Sequence, residues 1–467
     1  MKKLQAVFLG IVLASVMSIS TAFAAESPII DYFGGSSFDY FRGVSLTKDG
    51  GCVAVGESWS YDGDMKGFSK GSDDAVLVKY DANGNVEWIK TFGGSFFDTF
   101  YDVKQTRDGG YIAVGCSNSL DGDMAGSAKA VREGNTEVPN HDAIIVKFDS
   151  KGNMEWFSDF GGSNLDKYNS VIETKDGNYL AVGETKSWDG SMTGLLKGEG
   201  DCLIAMYDSN GNLMWLDSFG SRGIEGLSSV VECQDGSFVA VGYTNSTDGY
   251  MDGTGSALLK GLMVRFDSNQ NIIWVKALEL MNPDIRTIVY ASVYGFTDVA
   301  VTSDNGIIVS GAGIYLKEEE RIYKVCSDGR LFKFDNNGNI EWGKIYKYAD
   351  YTNLLSVIGT KDGSYISVGY SYSEMPVNSI VVSYDSKGQL KWAKSDGGSS
   401  NGDFRYIESK DDKYIIVGST HTKDKSTEAL LYIGNFEEYD GKLILSPETT
   451  KIVAPNDPSY REALSDL

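Results

Sequence analysis

The chain has 467 residues, 42 Lys and Arg against 65 Asp and Glu, and a formal net charge of −23. So large a negative surplus argues against nucleic acid and anionic membrane surfaces as partners, and leaves cations and neutral ligands open. Five cysteines in a chain of this length, with no C-x-x-C spacing, make no disulfide framework.

The chain opens MKKLQAVFLGIVLASVMSISTAFA. Lys2 and Lys3 precede an apolar stretch from Leu4 to Val16, and Ala22-Phe23-Ala24 is a small-residue cleavage site. This reads as a secretory leader over residues 1–24, with a retained anchor as the alternative. No cysteine follows the cleavage point, so a lipid anchor has no support. No second apolar run is long enough to cross a bilayer, and membrane insertion is not expected. The two lysines leave with the leader, so the chain beyond it carries −25. A secreted, extracellular monomer is the expectation.

From residue 28 to about 435 the sequence repeats itself. One half of the repeat is an apolar run ending in Gly, at Gly51–Gly56, Gly110–Gly115, Asn178–Gly183, Ser237–Gly242, Gly306–Gly311, Ser364–Gly369 and Lys413–Gly418. The other half carries a tryptophan, at Trp88, Trp156, Trp215, Trp274, Trp342 and Trp392. The period varies from 49 residues between Gly369 and Gly418 to 69 between Gly242 and Gly311, as expected when loops differ on a shared strand framework.

Each unit reads as four strands. In the second they lie near Tyr101–Thr106, Tyr111–Gly115, Ala143–Phe148 and Met154–Phe160. D-G and G-N turns between short apolar runs are hairpin chemistry, because Gly and Asn accept positive φ cheaply. The Tyr111-Ile112-Ala113-Val114 strand is apolar on both sides, so both its faces should be covered. Seven such units predict an all-β chain, a seven-bladed β-propeller of four-stranded antiparallel blades. The alternative is a β-solenoid stack, whose coils are shorter and use no paired hairpins.

Ser27–Tyr40 aligns with the fourth strand and corner that begin at Val86, without the three strands that should precede them. Ile29–Phe33 is therefore expected to close the ring as the outer strand of the last blade, beside Ala429–Ile433. Lys442–Ser446 competes for that place. Residues 436–467 read as a partly ordered extension. Several of Cys52, Cys116, Cys202, Cys233 and Cys326 fall where sister repeats hold small apolar residues, so buried thiols are expected.

The segment KYDANGNVEW at Lys79–Trp88 resembles the repeat of quinoprotein-like propellers. The whole unit is similar to secreted bacterial propeller repeats carrying S-x-D-G-D-x-x-G, D-x-x-x-V-K-Y-D and F-G-G-S-x-x-D, here Ser60–Gly67, Asp74–Asp81 and Phe92–Asp98. The resemblance spans about Ile29 to Asn435 and implies the fold. It places no quinone-binding residues on this chain, so no cofactor is expected beyond a structural Ca²⁺.

In a four-strand meander alternate connections fall on opposite ends. The short D-G-G and G-N turns share one face. The long, variable loops share the other, and binding residues concentrate on loops of a rigid scaffold. Corner acids Asp98 and Asp166, with Asp39, Glu225 and Asp403, decorate that face as candidate ligand contacts; the competing and favoured reading is that they brace the neighbouring blade by hydrogen bonds to its backbone. The same face carries the loop pairs Asp62 with Asp64 and Asp121 with Asp123, beside Asp189 and Asp248. An Asp-x-Asp pair offers hard oxygens that suit Ca²⁺; the competing reading is that these carboxylates cap backbone N–H groups. Trp59 and Trp188 precede the D-G loops and are the candidate stacking residues for a ligand. The six repeated tryptophans are expected to pack between blades.

Only His141 and His421 are present, and no G-x-S-x-G or phosphate loop appears, so a His-based catalytic triad is poorly supplied. The function expected is binding of an extracellular glycan or a surface protein on the long-loop face. The alternative is a polysaccharide hydrolase or lyase using carboxylates there. The repeat breaks at Ala125–His141 and Ala277–Thr302.

Overall fold

Turn chemistry folds this chain into antiparallel meanders, one after another. The structure, a computed structural model, describes residues 29–127, 140–249, 259–279, 295–319, 322–396, 401–410, 413–421, 426–434, 442–443 and 451–452. The leader at 1–24, the inner parts of both repeat breaks (128–139 and 280–294) and most of 436–467 lie outside the described residues.

Among the described residues the regular elements are β-strands and three short 3-10 turns. The first unit is Asp39–Leu46, Cys52–Ser58, Asp74–Tyr80 and Val86–Phe92, paired in that order. The second, third and fourth units begin at Asp98–Gln105, Asp166–Glu173 and Glu225–Glu232 and repeat the same four-strand order. Two further meanders begin at Phe296–Val301 and Tyr351–Gly359; a single parallel bridge from Ser327 to Tyr351 joins them into one larger sheet. The last sheet holds Gly402–Lys410, Lys413–His421, Thr427–Gly434 and, on its outer edge, Ile29–Phe33.

This is a β-propeller. The first strands of the meanders touch in a closed cycle: Asp39–Leu46, Asp98–Gln105, Asp166–Glu173, Glu225–Glu232, Phe296–Val301, Tyr351–Gly359, Gly402–Lys410 and back to the start. Among the described residues, dividing the larger sheet at its bridge gives seven four-stranded meanders in that cycle, the fifth and sixth each with a short further pairing on the outer edge. Closure follows the expected register, Ile29 opposite Ile433 and Phe33 opposite Ala429. Lys442–Leu443 does not compete for that edge; it pairs with Lys394 and Ser395 of the sixth unit.

The core lies between units. Val53 and Val55 of the first unit pack with Phe100, Val103 and Ala113 of the second, while Cys52 and Ala54 on the opposite side pack with Ile415, Val417 and Leu431 of the seventh. The both-sides apolar second strand is thus covered on both faces. All five cysteines are buried and none is in a disulfide.

Four of the six repeated tryptophans, Trp88, Trp156, Trp274 and Trp342, lean from the outer strand onto the last turn of the next unit, where glycine leaves room. A Cβ on Gly152 would stand 2.8 Å from the Trp88 ring, and on Gly211 2.6 Å from Trp156. Ile29 fills the tryptophan position in the closing strand, 2.5 Å from a Cβ built on Gly84, which accounts for the missing copy. Only Trp342, at 8% exposure, is buried; the other five are half-buried, because the fourth strand is the outermost and one ring edge meets solvent. The fifth unit departs from the repeat in its central hairpin, Ile307–Glu319 with Ile322–Phe334, which replaces the D-G loop.

Candidate functional site

The D-G-D-M loops are plugged into the ring by their methionines. Met65, Met124 and Met192 sit in one-turn 3-10 segments and are fully buried in the clefts between units, each worth about 1.5–3 kcal/mol of burial. The turn needs glycine at its first position. Gly122 has φ 61°, and a Cβ there would stand 2.4 Å from the Gly93 carbonyl oxygen. The loop is pressed against the corner of its own unit, and that contact determines where the acids point.

Asp98 is fully buried. Its Oδ2 accepts from the Gly94 backbone N–H at 2.9 Å and the Ser119 hydroxyl at 2.8 Å. Burial pushes its carboxyl up to about 7, although the Ser117 and Ser119 hydroxyls and the Gly94 N–H pull the other way. Asp166 is equally buried and holds Gly162 N–H at 2.9 Å and the Ser187 hydroxyl at 2.7 Å, with burial again raising it. The expectation that these two contact a ligand is corrected by this geometry: both carboxylates lie beneath the surface and staple corner to loop. Asp39 and Glu225 make the same staple.

The loop pairs are exposed or partly so, yet they too face donors. Asp62 accepts from Ser36 N–H at 2.7 Å and Asp64 from Gly34 N–H at 3.1 Å. Asp121 accepts from Ser95 N–H at 2.7 Å, and Asp123 accepts from Gly93 N–H at 3.0 Å while pairing with Lys70. The Ser36 N–H holds Asp62 below the usual carboxylate range, and the Ser95 hydroxyl and N–H do so for Asp121. An oxygen turned toward an N–H is badly turned for a cation. Among the described residues no three His, Cys, Asp or Glu side chains gather where an ion could be held. These hydrogen bonds are those of the capping reading. EDTA is accordingly expected to leave the thermal midpoint unchanged; a fall reversed by added Ca²⁺ would return an ion to Asp62–Asp64 or Asp121–Asp123.

Trp188 and Trp59 are on the surface as expected, 64% and 39% exposed. Trp188 directly precedes the capping Asp189, the position that Tyr61 occupies before Asp62, and Tyr61 is 66% exposed. Trp59 packs edge-on to Phe38, ring centres 5.4 Å apart. Phe68 and Phe96 are also exposed. The loop face of the first two units therefore carries an aromatic set on a stapled backbone, with Trp188 on the third.

A second constellation escaped the sequence reading. Around the ring axis, near the long-loop end, cations and phenols alternate. Arg405 and Arg42 flank the Tyr40 ring at 5.8 and 5.7 Å; Arg42 and Lys167 flank the Tyr101 ring, both at 5.5 Å. Glu57 pairs with Arg42 and also accepts from Thr99, at 2.6 Å; Glu184 pairs with Lys167 at 3.0 Å and accepts from Tyr243. Nearer the short-turn end, Lys104 of the second unit reaches the seventh. Its Nζ lies 3.0 Å from Asp102, 2.9 Å from the Tyr406 hydroxyl and 3.4 Å from Glu408. Asp102 and Asp298 tie neighbouring first strands together: Asp102 accepts from Ser170 at 3.1 Å, and Asp298 from Ser229 at 2.7 Å and Ser356 at 2.6 Å. The only sequence sign was charge inside first strands, where the units differ most.

No protein-family model matches the sequence, and no curated protein matches it. Several solved structures align at low identity. The β-propeller domain of the trilobed protease from Pyrococcus furiosus is 11% identical, with 90% of this chain and 97% of that one covered and a TM-score of 0.42. A Dyadobacter fermentans protein of unknown function is 9% identical, covering 88% and 98%, with a TM-score of 0.41. Drosophila Semaphorin 1b, extracellular domains 1-2, is 8% identical, covering 88% of each chain, also with a TM-score of 0.41. No helix among the described residues is long and apolar enough to cross a membrane.

Proposed function

We propose that this chain is an exported binding propeller that recognises an extracellular glycan or a surface protein through its long-loop face. The observation that carries the reading is the exposure of Trp188, Tyr61 and Trp59 on loops tied to the corners, from beneath by the buried Asp39 and Asp166 and at the surface by Asp62 and Asp189. Aromatic rings left in water on a rigid support suit stacking against a sugar ring or an apolar side chain, at small ordering cost. On this reading residues 1–24 are a cleaved leader, 28–435 the propeller and 436–467 an extension, and the chain acts as a monomer. The hydrolase or lyase alternative would draw on the corner acids, which are already committed to the staples.

The test is a pull-down against insoluble polysaccharides and cell-wall material, comparing the wild type with a Trp59→Ala/Trp188→Ala double variant. Binding by the wild type, weakened at least tenfold in the variant, is expected. Undiminished binding moves the site off these loops. Release of sugar fragments, lost on changing one carboxylate, replaces the binding reading with an enzyme.

A further inference from the structure

A break in the repeat opens a cleft on the flank of the ring. In four interfaces a tryptophan closes onto the glycine of the next unit's last turn, as described for Trp88 and Trp156; a Cβ on Gly388 would stand 2.8 Å from Trp342, and on Gly338 3.1 Å from Trp274. The residue two beyond the tryptophan often seals the same place. Lys90 lies 2.9 Å from a Cβ on Gly152, Lys276 3.3 Å from one on Gly338, and Lys344 3.0 Å from one on Gly388. Both features change between the third and fourth units. The fourth unit's turn reads Asp267-Ser268-Asn269-Gln270-Asn271, with Gln where the others have Gly, and the residue two beyond Trp215 is Asp217.

Gln270 keeps the turn's left-handed backbone, φ 69°, which a side chain makes costly. Its Cβ fills the space into which Trp215 would close, and Asp217 is too short to seal the gap. Between the two units lies a cleft of about 460 Å³. Its apolar wall includes Trp215, Phe219, Phe266 and Ile272, and the exposed Asp217 and Gln270 stand at its edge. It runs from the short turn at Gln270 toward Lys197 at the long-loop end. That volume is within the range of small-molecule sites, roughly 300–1,000 Å³.

We propose that this cleft is a second carbohydrate site, taking a linear neutral oligosaccharide with one sugar ring stacked on Trp215. A sugar ring has an apolar C–H face that matches indole, and hydroxyls that both donate and accept. Asp217 accepts from them; the Gln270 amide does both. The Asp217 Oδ1 already holds Ser218 N–H at 2.8 Å, which fixes the carboxylate's direction. Asp217 and a net charge of −23 disfavour an anionic ligand, and the polar edge disfavours a wholly apolar one. The site stands apart from the loop-face aromatics and does not depend on them.

The probes are cellohexaose, xylohexaose, mannohexaose, maltohexaose and chitohexaose, titrated by calorimetry and followed by tryptophan fluorescence. At least one is expected to bind the wild type. Gln270→Gly, which lets Trp215 close, should weaken it at least tenfold while raising the thermal midpoint. Trp215→Ala should abolish binding, and Trp59→Ala/Trp188→Ala should leave it unchanged. If Trp215→Ala does not fold, Gln270→Gly decides. Failure of all five to bind the wild type at millimolar concentration overturns the proposal. So does binding that Gln270→Gly leaves intact, or binding lost only in the Trp59/Trp188 variant, which would belong to the loop face.

Discussion

Lys104→Met is expected to cost about 3–5 kcal/mol of folding stability, read as a lower midpoint in urea denaturation with the slope preserved. Burial alone would pull the ammonium down, but Asp102, Tyr406 and Glu408 around it hold it well above the ordinary lysine value. Asp102 also accepts from Ser170, from Val171 N–H at 3.1 Å and from Val103 N–H at 2.8 Å. Glu408 accepts from Leu46 N–H at 2.8 Å, and burial already raises its carboxyl. Removing the cation leaves two inward carboxylates facing each other across the first unit, where Gly43 and Ser45 are too small to shield them. Glu408→Gln added to Lys104→Met should recover part of the loss, since one of the stranded charges is then gone. A cost below about 1 kcal/mol would mean that water in the axial space replaces the ammonium, as it does for exposed pairs. The contact joins residues 304 apart in sequence, so its loss tests ring closure as well as local charge.

Much of this architecture was legible because it rests on local chemistry. Turns at Asp149-Ser150-Lys151-Gly152-Asn153 and its copies declare hairpins whatever surrounds them, and the strand alternation follows. The closing strand was legible too, since Ile29–Phe33 aligns with Trp88–Phe92 through Phe33, which is buried at the matching place. The role of Asp98 was half visible. An acid at a loop corner reads as a ligand contact or a staple, and the choice depends on whether the loop folds back over it. The hydroxyls that receive it, Ser117 and Ser119, were in the sequence but marked only as strand end and loop.

The axial cluster was not legible, for a different physical reason. Its members occupy first-strand positions that the repeat does not hold constant: Arg42, Tyr101, Asn169, Ser228, Thr297, Leu355 and Arg405 are equivalents. A repeat reveals what every interface needs. The axis is one shared space filled once, so each unit contributes something different. The cleft at Trp215 is the same lesson seen from the rim. Gln270 stands out only against five glycines, and its effect appears only when the neighbour's tryptophan is in view.

Stability should also rise as the solution is made mildly acid, and Asp98→Asn should remove much of that rise. The Asp98 carboxyl titrates at about 7 in the folded chain, against about 3.8 when unfolded. Below the unfolded value both states are neutral and the folded state keeps its full stability. Between the two values the unfolded chain has given up a proton that the folded chain retains, so stability falls as pH rises. Above about 7 the buried carboxylate is charged in both states, and the loss is complete, on the order of 4 kcal/mol from this group. Asp39, Asp166 and Asp298 are shifted upward by burial as well and push the same way. The carboxylates that act oppositely, Asp62, Asp121 and the turn acids Asp149 and Asp208, are held below their ordinary values and lose their contribution only in stronger acid. The midpoint of thermal unfolding should therefore be higher near pH 5 than near pH 8. An amide at position 98 can still accept from Gly94 N–H and Ser119 through its oxygen, while its buried charge is gone. Asp98→Asn should raise the midpoint at pH 8 and flatten its dependence between pH 5 and 8. A variant less stable than the wild type at pH 8 would show that the charged form of Asp98 is what the staple requires.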